Sequence, residues 1–364
     1  MKKVQNALLA TIILLAMATN ASATKYRVNI NSNVTADNKI VFNTVDAAIA
    51  YASAGDTIYL EPSANPYSSF TITKKLTILG PGYSLNPSFL GNSGLQANLD
   101  EVQMWQNTSI TISTGADGSV VSGIEIYQIN LSPNLSNISI SNNNINFIIR
   151  FASGTYNNIF ITDNYMLGVS IITQNNCICN NLIFSNNILT GSGEGMSGLL
   201  LNYLDPISTA TYNISCNGLF ITNNTFIFGA VVDFRYNSSS NIIFTNNIMD
   251  EQSAIIQNNS YSSFTNNVFG LSQSELGLSG YSNNLYGQTT IPFIGSSGSD
   301  DGQWQLTSSL GTGYAPNQIG AFGGSTPYTL SGLPAIPSVT QFTIPSGTIT
   351  TNTLPITISA KSNQ

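Results

Sequence analysis

Residues equipped for chemistry are sparse in this 364-residue chain. Between Asn143 and Asn284 the acids are Asp163, Glu194, Asp205, Asp233, Asp250, Glu251 and Glu275, and the cations are Arg150 and Arg235 alone. Two carboxyl groups that flank a glycosidic bond can cleave it, one protonating the leaving oxygen while the other activates water. That chemistry needs clustered acids, and these are scattered, with no histidine anywhere in the chain to assist them. Asp233 and Arg235 in "AVVDFRYN" are two residues apart, hence on one face of one strand. Such a pair reads first as a structural ion pair, which is common and contributes little at a surface. If a ligand site exists, it is expected where Tyr203, Asp205, Asp233, Arg235 and Tyr236 approach one another. Aromatic faces beside a few polar groups suit sugars. The cysteines are Cys177, Cys179 and Cys216. A C-x-C pair with one distant partner and no histidine is a poor zinc signature, so no metal or cofactor is expected. The thiols read as small buried hydrophobes, and their redox state stays open.

The elements that would position these residues announce themselves by repetition. "NIIFTNNIMD" at Asn241 has near-copies in "NIFITDNYML", "NLIFSNNILT", "GLFITNNTFI" and "SSFTNNVFG". Aligned on the second Asn, the copies put Asn143, Asn164, Asn187, Asn224, Asn247, Asn267 and Asn284 in register. Apolar residues alternate before each, as in Ile159 and Ile161 or Leu219 and Ile221. A period of two means strands, and a unit near twenty residues means stacked coils. β-branched and aromatic residues dominate, which disfavours helical repeats. The expected fold is all-β: a parallel β-helix, right-handed because parallel crossovers nearly always are.

In such a stack the repeated Asn has a mechanical role. It can accept left-handed geometry in a tight turn and bond the same amide one coil away. The alignment also makes Cys179 and Cys216 equivalent in successive coils, which predicts a thiol stack rather than a strained bridge. Between the inward positions stand Phe160, Ile183, Phe220 and Ile243. They should form an apolar stripe on the outside of one sheet, either covered by the C-terminal tail from Pro327 or serving as an interface. Arg150 should lie three coils from Asp233, roughly 14 Å away at the usual strand spacing and too far for contact. The 37-residue interval before Asn224 holds an excursion, and excursions from a β-helix fall on its surface.

Composition narrows the setting. Lys2, Lys3, the run "ALLATIILLAMA" and "ASA" ending at Ala23 describe a secretory signal peptide. Removing it leaves 8 Lys+Arg (10 minus 2) against 17 Asp+Glu, a net charge of −9 on an exported chain. No later apolar run is long enough to span a membrane. An acidic balance without a basic patch argues against nucleic acid. Charged residues are 7% of the chain, against about 25% in ordinary domains, and Asn, Ser, Thr and Gly take over the polar work.

Stacked coils need caps. "TVDAAIAYASAGDTIYLEP" reads as an amphipathic helix from Thr44 to Ala54 running into a strand, and "KKLTILGPGY" follows it. With "GSVVSGIEI", "IGAFGG" and the tail "PYTLSGLPAIPSVTQFTIP", these phrases resemble a secreted bacterial group of pectate-lyase-like (pectin-lyase-fold) β-helix proteins. The resemblance covers most of residues 25–364 and implies fold rather than activity. Pectate lyases would supply an arginine base and aspartate-bound calcium, for which this chain has few candidates. The expected organisation is a signal peptide over 1–23, a β-helix with its N-terminal cap over 24–325 and a strand-like tail over 326–364. The expected function is non-catalytic: binding a polysaccharide or a surface protein, or serving as a surface structural element. The alternative is a polysaccharide lyase or glycoside hydrolase acting on an acidic polymer.

Overall fold

The computed structural model describes residues 23–361, except 32–33, 64, 84–102, 168–169, 174–176, 192–197, 201, 205–210, 234–239, 251–252, 257–261, 278–280, 282, 296–298, 312–313, 334–337 and 344–356. The expected signal peptide therefore lies outside the described residues, apart from Ala23. None of the described helices is long and apolar enough to cross a membrane.

Two long parallel sheets wrap a single apolar core, the parallel β-helix that the repeat predicts. The first sheet begins with Val41–Phe42, Lys25–Val28, Thr57–Leu60, Thr77–Leu79 and Val120–Ser122. It continues through Ser136–Ser141, Gly154–Thr162, Cys177–Ser185, Thr211–Thr222 and Ser240–Thr245 to Ser263–Thr265. Its register keeps Ile138, Ile159, Leu182, Leu219 and Ile242 in one column, all fully buried. A slip of one residue would turn every such column outward, so burial locks the register.

The second sheet starts with Phe70–Ile72 and continues as long strands, Gln103–Ile112, Glu125–Leu131 and Asn144–Phe151, with register shifts between them. Beyond Asn144–Phe151 it splits into two branches. One runs through Tyr165–Leu167, Ile188–Thr190, Thr225–Ile227, Ile248–Met249 and Val268–Phe269. The other runs through Ser170–Thr173, Gly198–Leu200, Val231–Asp233 and Ala254–Ile256. Each coil thus has three flat sides, with inward residues such as Met166, Leu189, Phe226, Met249 and Phe269 filling the core.

The N-terminal cap is shorter than its sequence pattern, a helix over Val45–Tyr51. Thr44 begins it by accepting the Ala47 amide on its hydroxyl (3.2 Å), and Val45, Ala48 and Ile49 face the core. The last ladder rung is Asn284, and the chain then folds back over the second sheet as far as Gly332. This return segment buries Ile188, Ile227, Ile248 and Val268 under Trp304, Leu310, Ile319, Ala321 and Tyr328. Its geometry depends on contacts with coils far away in sequence, so no local pattern marks it. Farther on, Ser338–Thr343 and Thr357–Lys361 pair as an antiparallel hairpin of their own.

Candidate functional site

The seven aligned asparagines form one axial column. Each Nδ2 donates to the Oδ1 of the next coil's asparagine, from Asn143 to Asn164 (3.1 Å) through to Asn267 and Asn284 (2.9 Å). The same Oδ1 also accepts the backbone amide, as Asn247 does from Asn224 (2.9 Å). Asn143 through Asn267 are completely buried. One expectation needs correcting: the left-handed backbone is adopted by the residue before each rung, not by the rung. Asn142, Asp163, Asn186, Asn223, Asn246 and Asn266 have φ between 55° and 59°. The two tasks are divided because a rung must keep its amide inside while its neighbour turns the chain.

On the first sheet, Phe160, Ile183, Phe220 and Ile243 stand in one column, as alternation requires, with Ser139 and Ser263 at its ends. All four are half-buried. Two further columns flank them. On one side lie Ser141, Thr162, Ser185, Thr222, Thr245 and Thr265. On the other lies a second asparagine ladder, Asn181 to Asn158 to Asn137, with both amide bonds at 3.0 Å. Gly218 and Asn241 continue that column, and all five positions have positive φ. Sequence reasoning missed this ladder, although its signal is plain: Asn or Gly, at Asn137, Asn158, Asn181, Gly218 and Asn241, precedes the first apolar residue of its copy. The face therefore offers an apolar strip about 14 Å long between rows of amides and hydroxyls.

The sequence leaves this stripe either under the C-terminal tail or open as an interface. The tail's described part near Tyr328 covers the second sheet instead, where it closes on Tyr83. The Tyr83 and Tyr328 hydroxyls bond one another, and Tyr328 donates to the fully buried Asp301 (3.0 Å). Burial pushes both phenols well above their ordinary range.

The sequence-derived ligand site is only partly visible. Tyr203 lies in Asn202–Leu204, an antiparallel strand folded against Thr211–Thr222, so the 37-residue excursion contains a hairpin. Asp233 ends Val231–Asp233 and pairs with Leu200 and Ile256. Asp205, Arg235 and Tyr236 lie outside the described residues. Arg150 pairs with Asn130 and Ile172, and Asp233 follows in that same column beyond Leu200. Beside Asn130, a register shift between Ile145 and Ile148 turns Phe147 outward onto Tyr127, stacked at 4.8 Å. Gln128 donates to Asn130 Oδ1 (2.5 Å). A register shift leaves no periodic signature, so this aromatic pair could not be read from sequence.

Among the described residues no three acidic or thiol groups lie close enough to share a metal ion. Glu194, Asp205 and Glu251 lie outside them. Cys179 and Cys216 are register partners, and all three thiols are buried outside any disulfide. A hydrogen bond with Cys216 and then burial raise Cys179, and burial pushes Cys177 up to about 12. Raised thiols are poor nucleophiles. The chain matches no family model, no curated protein and no solved structure.

Proposed function

We propose that this is an exported, non-catalytic β-helix protein of the pectate-lyase-like class that binds a glycan along the outer face of its first sheet. One observation carries the reading: four apolar side chains in register, Phe160, Ile183, Phe220 and Ile243, bordered by amide and hydroxyl columns. Sugar rings present C–H faces and equatorial hydroxyls, and this strip offers apolar and polar partners in parallel rows. Repetition at one coil spacing favours an extended polymer over a compact ligand. A protein partner would use the stripe without needing the flanking rows.

The test is retention of the mature chain on a panel of immobilised polysaccharides, beside Phe220→Asp. Retention of the wild type, lost in the variant while its circular dichroism is unchanged, supports the proposal. A wild type retained by none of the polymers would sink it, and the appearance of new chain ends would replace binding with cleavage.

A further inference from the structure

The return segment is fastened to the turns beside the inner ladder, one coil after another. Gly320 donates its amide to the Asn246 carbonyl (2.9 Å), and Ala321 donates to the Thr225 hydroxyl (3.0 Å). Asn223 Nδ2 donates to the Gln318 carbonyl (3.2 Å). Asn186 Nδ2 donates to two carbonyls of the return segment, Ala321 (2.9 Å) and Gly323 (2.8 Å). At the far end Tyr83 donates its amide to the Ser331 carbonyl (2.8 Å), and Gly332 packs on the Asn142 carbonyl.

One coil breaks the pattern. Between Asn142 and Asn186 the turn residue is Asp163, with the same left-handed backbone (φ 58°). A carboxylate has no N–H to offer. Asp163 Oδ1 is sealed from solvent with no hydrogen-bond partner, and so is Asn142 Oδ1 in the adjoining coil. The titratable groups packed around this stretch are Tyr83, Tyr165, Tyr328, Asp300 and Asp301, and none is a cation. The ion pair among the described residues, Arg27 with Glu61, is at the N-terminal end.

We propose that residues 318–332 form a pH-sensitive strap whose docking on the coil stack is set by the protonation of Asp163. Protonated, the carboxyl gains the donor that Asn186 uses on the strap carbonyls. Ionised, it leaves a half-buried negative charge, its Oδ1 sealed and without a counterion, beneath the strap. Release would bare Tyr165, Ile188 and Ile227, a second apolar patch that the strap keeps dry.

The direction follows from linkage. Burial pushes Asp163 up from 3.8 to about 7, a bond from Thr162 opposing it. A raised carboxyl favours the docked state at low pH, and that advantage is lost as pH rises toward the docked value. Strap opening should therefore increase about tenfold per pH unit from roughly pH 4 to 7, then level off. Hydrogen exchange of the mature chain, corrected for intrinsic rates, reads this at 318–332 with Asn164 and Asn187 as internal references. Wild-type protection should fall over that window while Asp163→Asn, which restores the residue type of the other turns, holds it constant. Flat wild-type protection, or an unchanged pH profile in Asp163→Asn, overturns the proposal. The wild-type series stands without any variant.

Discussion

Two asparagine ladders, inner and outer, are built from the same side chain at nearly the same bond length, and they differ in where they lie. The inner ladder, Asn143 to Asn284, has no solvent access along most of its length, and its amides also saturate backbone groups of adjacent coils. Asn224 Nδ2, for example, donates to the Phe184 and Thr222 carbonyls and to Asn247. The outer ladder of Asn137, Asn158 and Asn181 repeats the amide bond in contact with water. A hydrogen bond that water can replace adds little, whereas an unpaired group in the core costs its full desolvation. Geometry alone is thus a poor guide to energy. Burial decides which ladder holds the coils together and which one is free to meet a ligand.

The sharpest way to break that comparison is Asn224→Ala. It strands the Phe184 carbonyl and the Asn187 amide in the core, so a loss of roughly 2–4 kcal/mol is expected in urea melts. A loss below about 0.5 kcal/mol would mean the inner column is ornamental.

The turn column should show the next largest effect, growing from about pH 4 and complete above about pH 7. With Asp163 raised to about 7 in the folded chain, its ionisation costs stability as pH rises. Asp163→Asn should gain roughly 1–3 kcal/mol at pH 8, after discounting a side chain that is not wholly buried, and nothing near pH 3. Paired thermal melts at the two pH values decide it.

Gly218 sharpens the outer ladder. At φ 94° it has a backbone that a side chain resists, and a Cβ there would stand 2.9 Å from Asn181 Oδ1. Gly218→Ala should cost about 1 kcal/mol and shift the Asn181 amide. Smallest of all is Asn158→Gly, which keeps the left-handed turn (φ 54°) while deleting the outer rung. It should alter stability by less than about 0.5 kcal/mol while weakening glycan retention. A stability loss as large as that of Asn224→Ala would erase the distinction between the ladders.

Much of this was legible in the sequence. The coil repeat, the inner column, the outward stripe and the Cys179–Cys216 register all follow from spacing. A period-two pattern repeated every coil allows only one register that buries every inward residue. The division of labour within each Asn pair did not follow, because both residue types permit either task until a neighbouring coil supplies the partner. Only the tertiary structure decided the strap, the outward turn of Phe147 and the burial of the second apolar patch. Tyr83 and Tyr328 are 245 positions apart in the chain, and no local propensity encodes a contact of that range. Asp163 belongs to both accounts. By sequence it is a turn residue, and only the strap above it makes its missing proton donor matter.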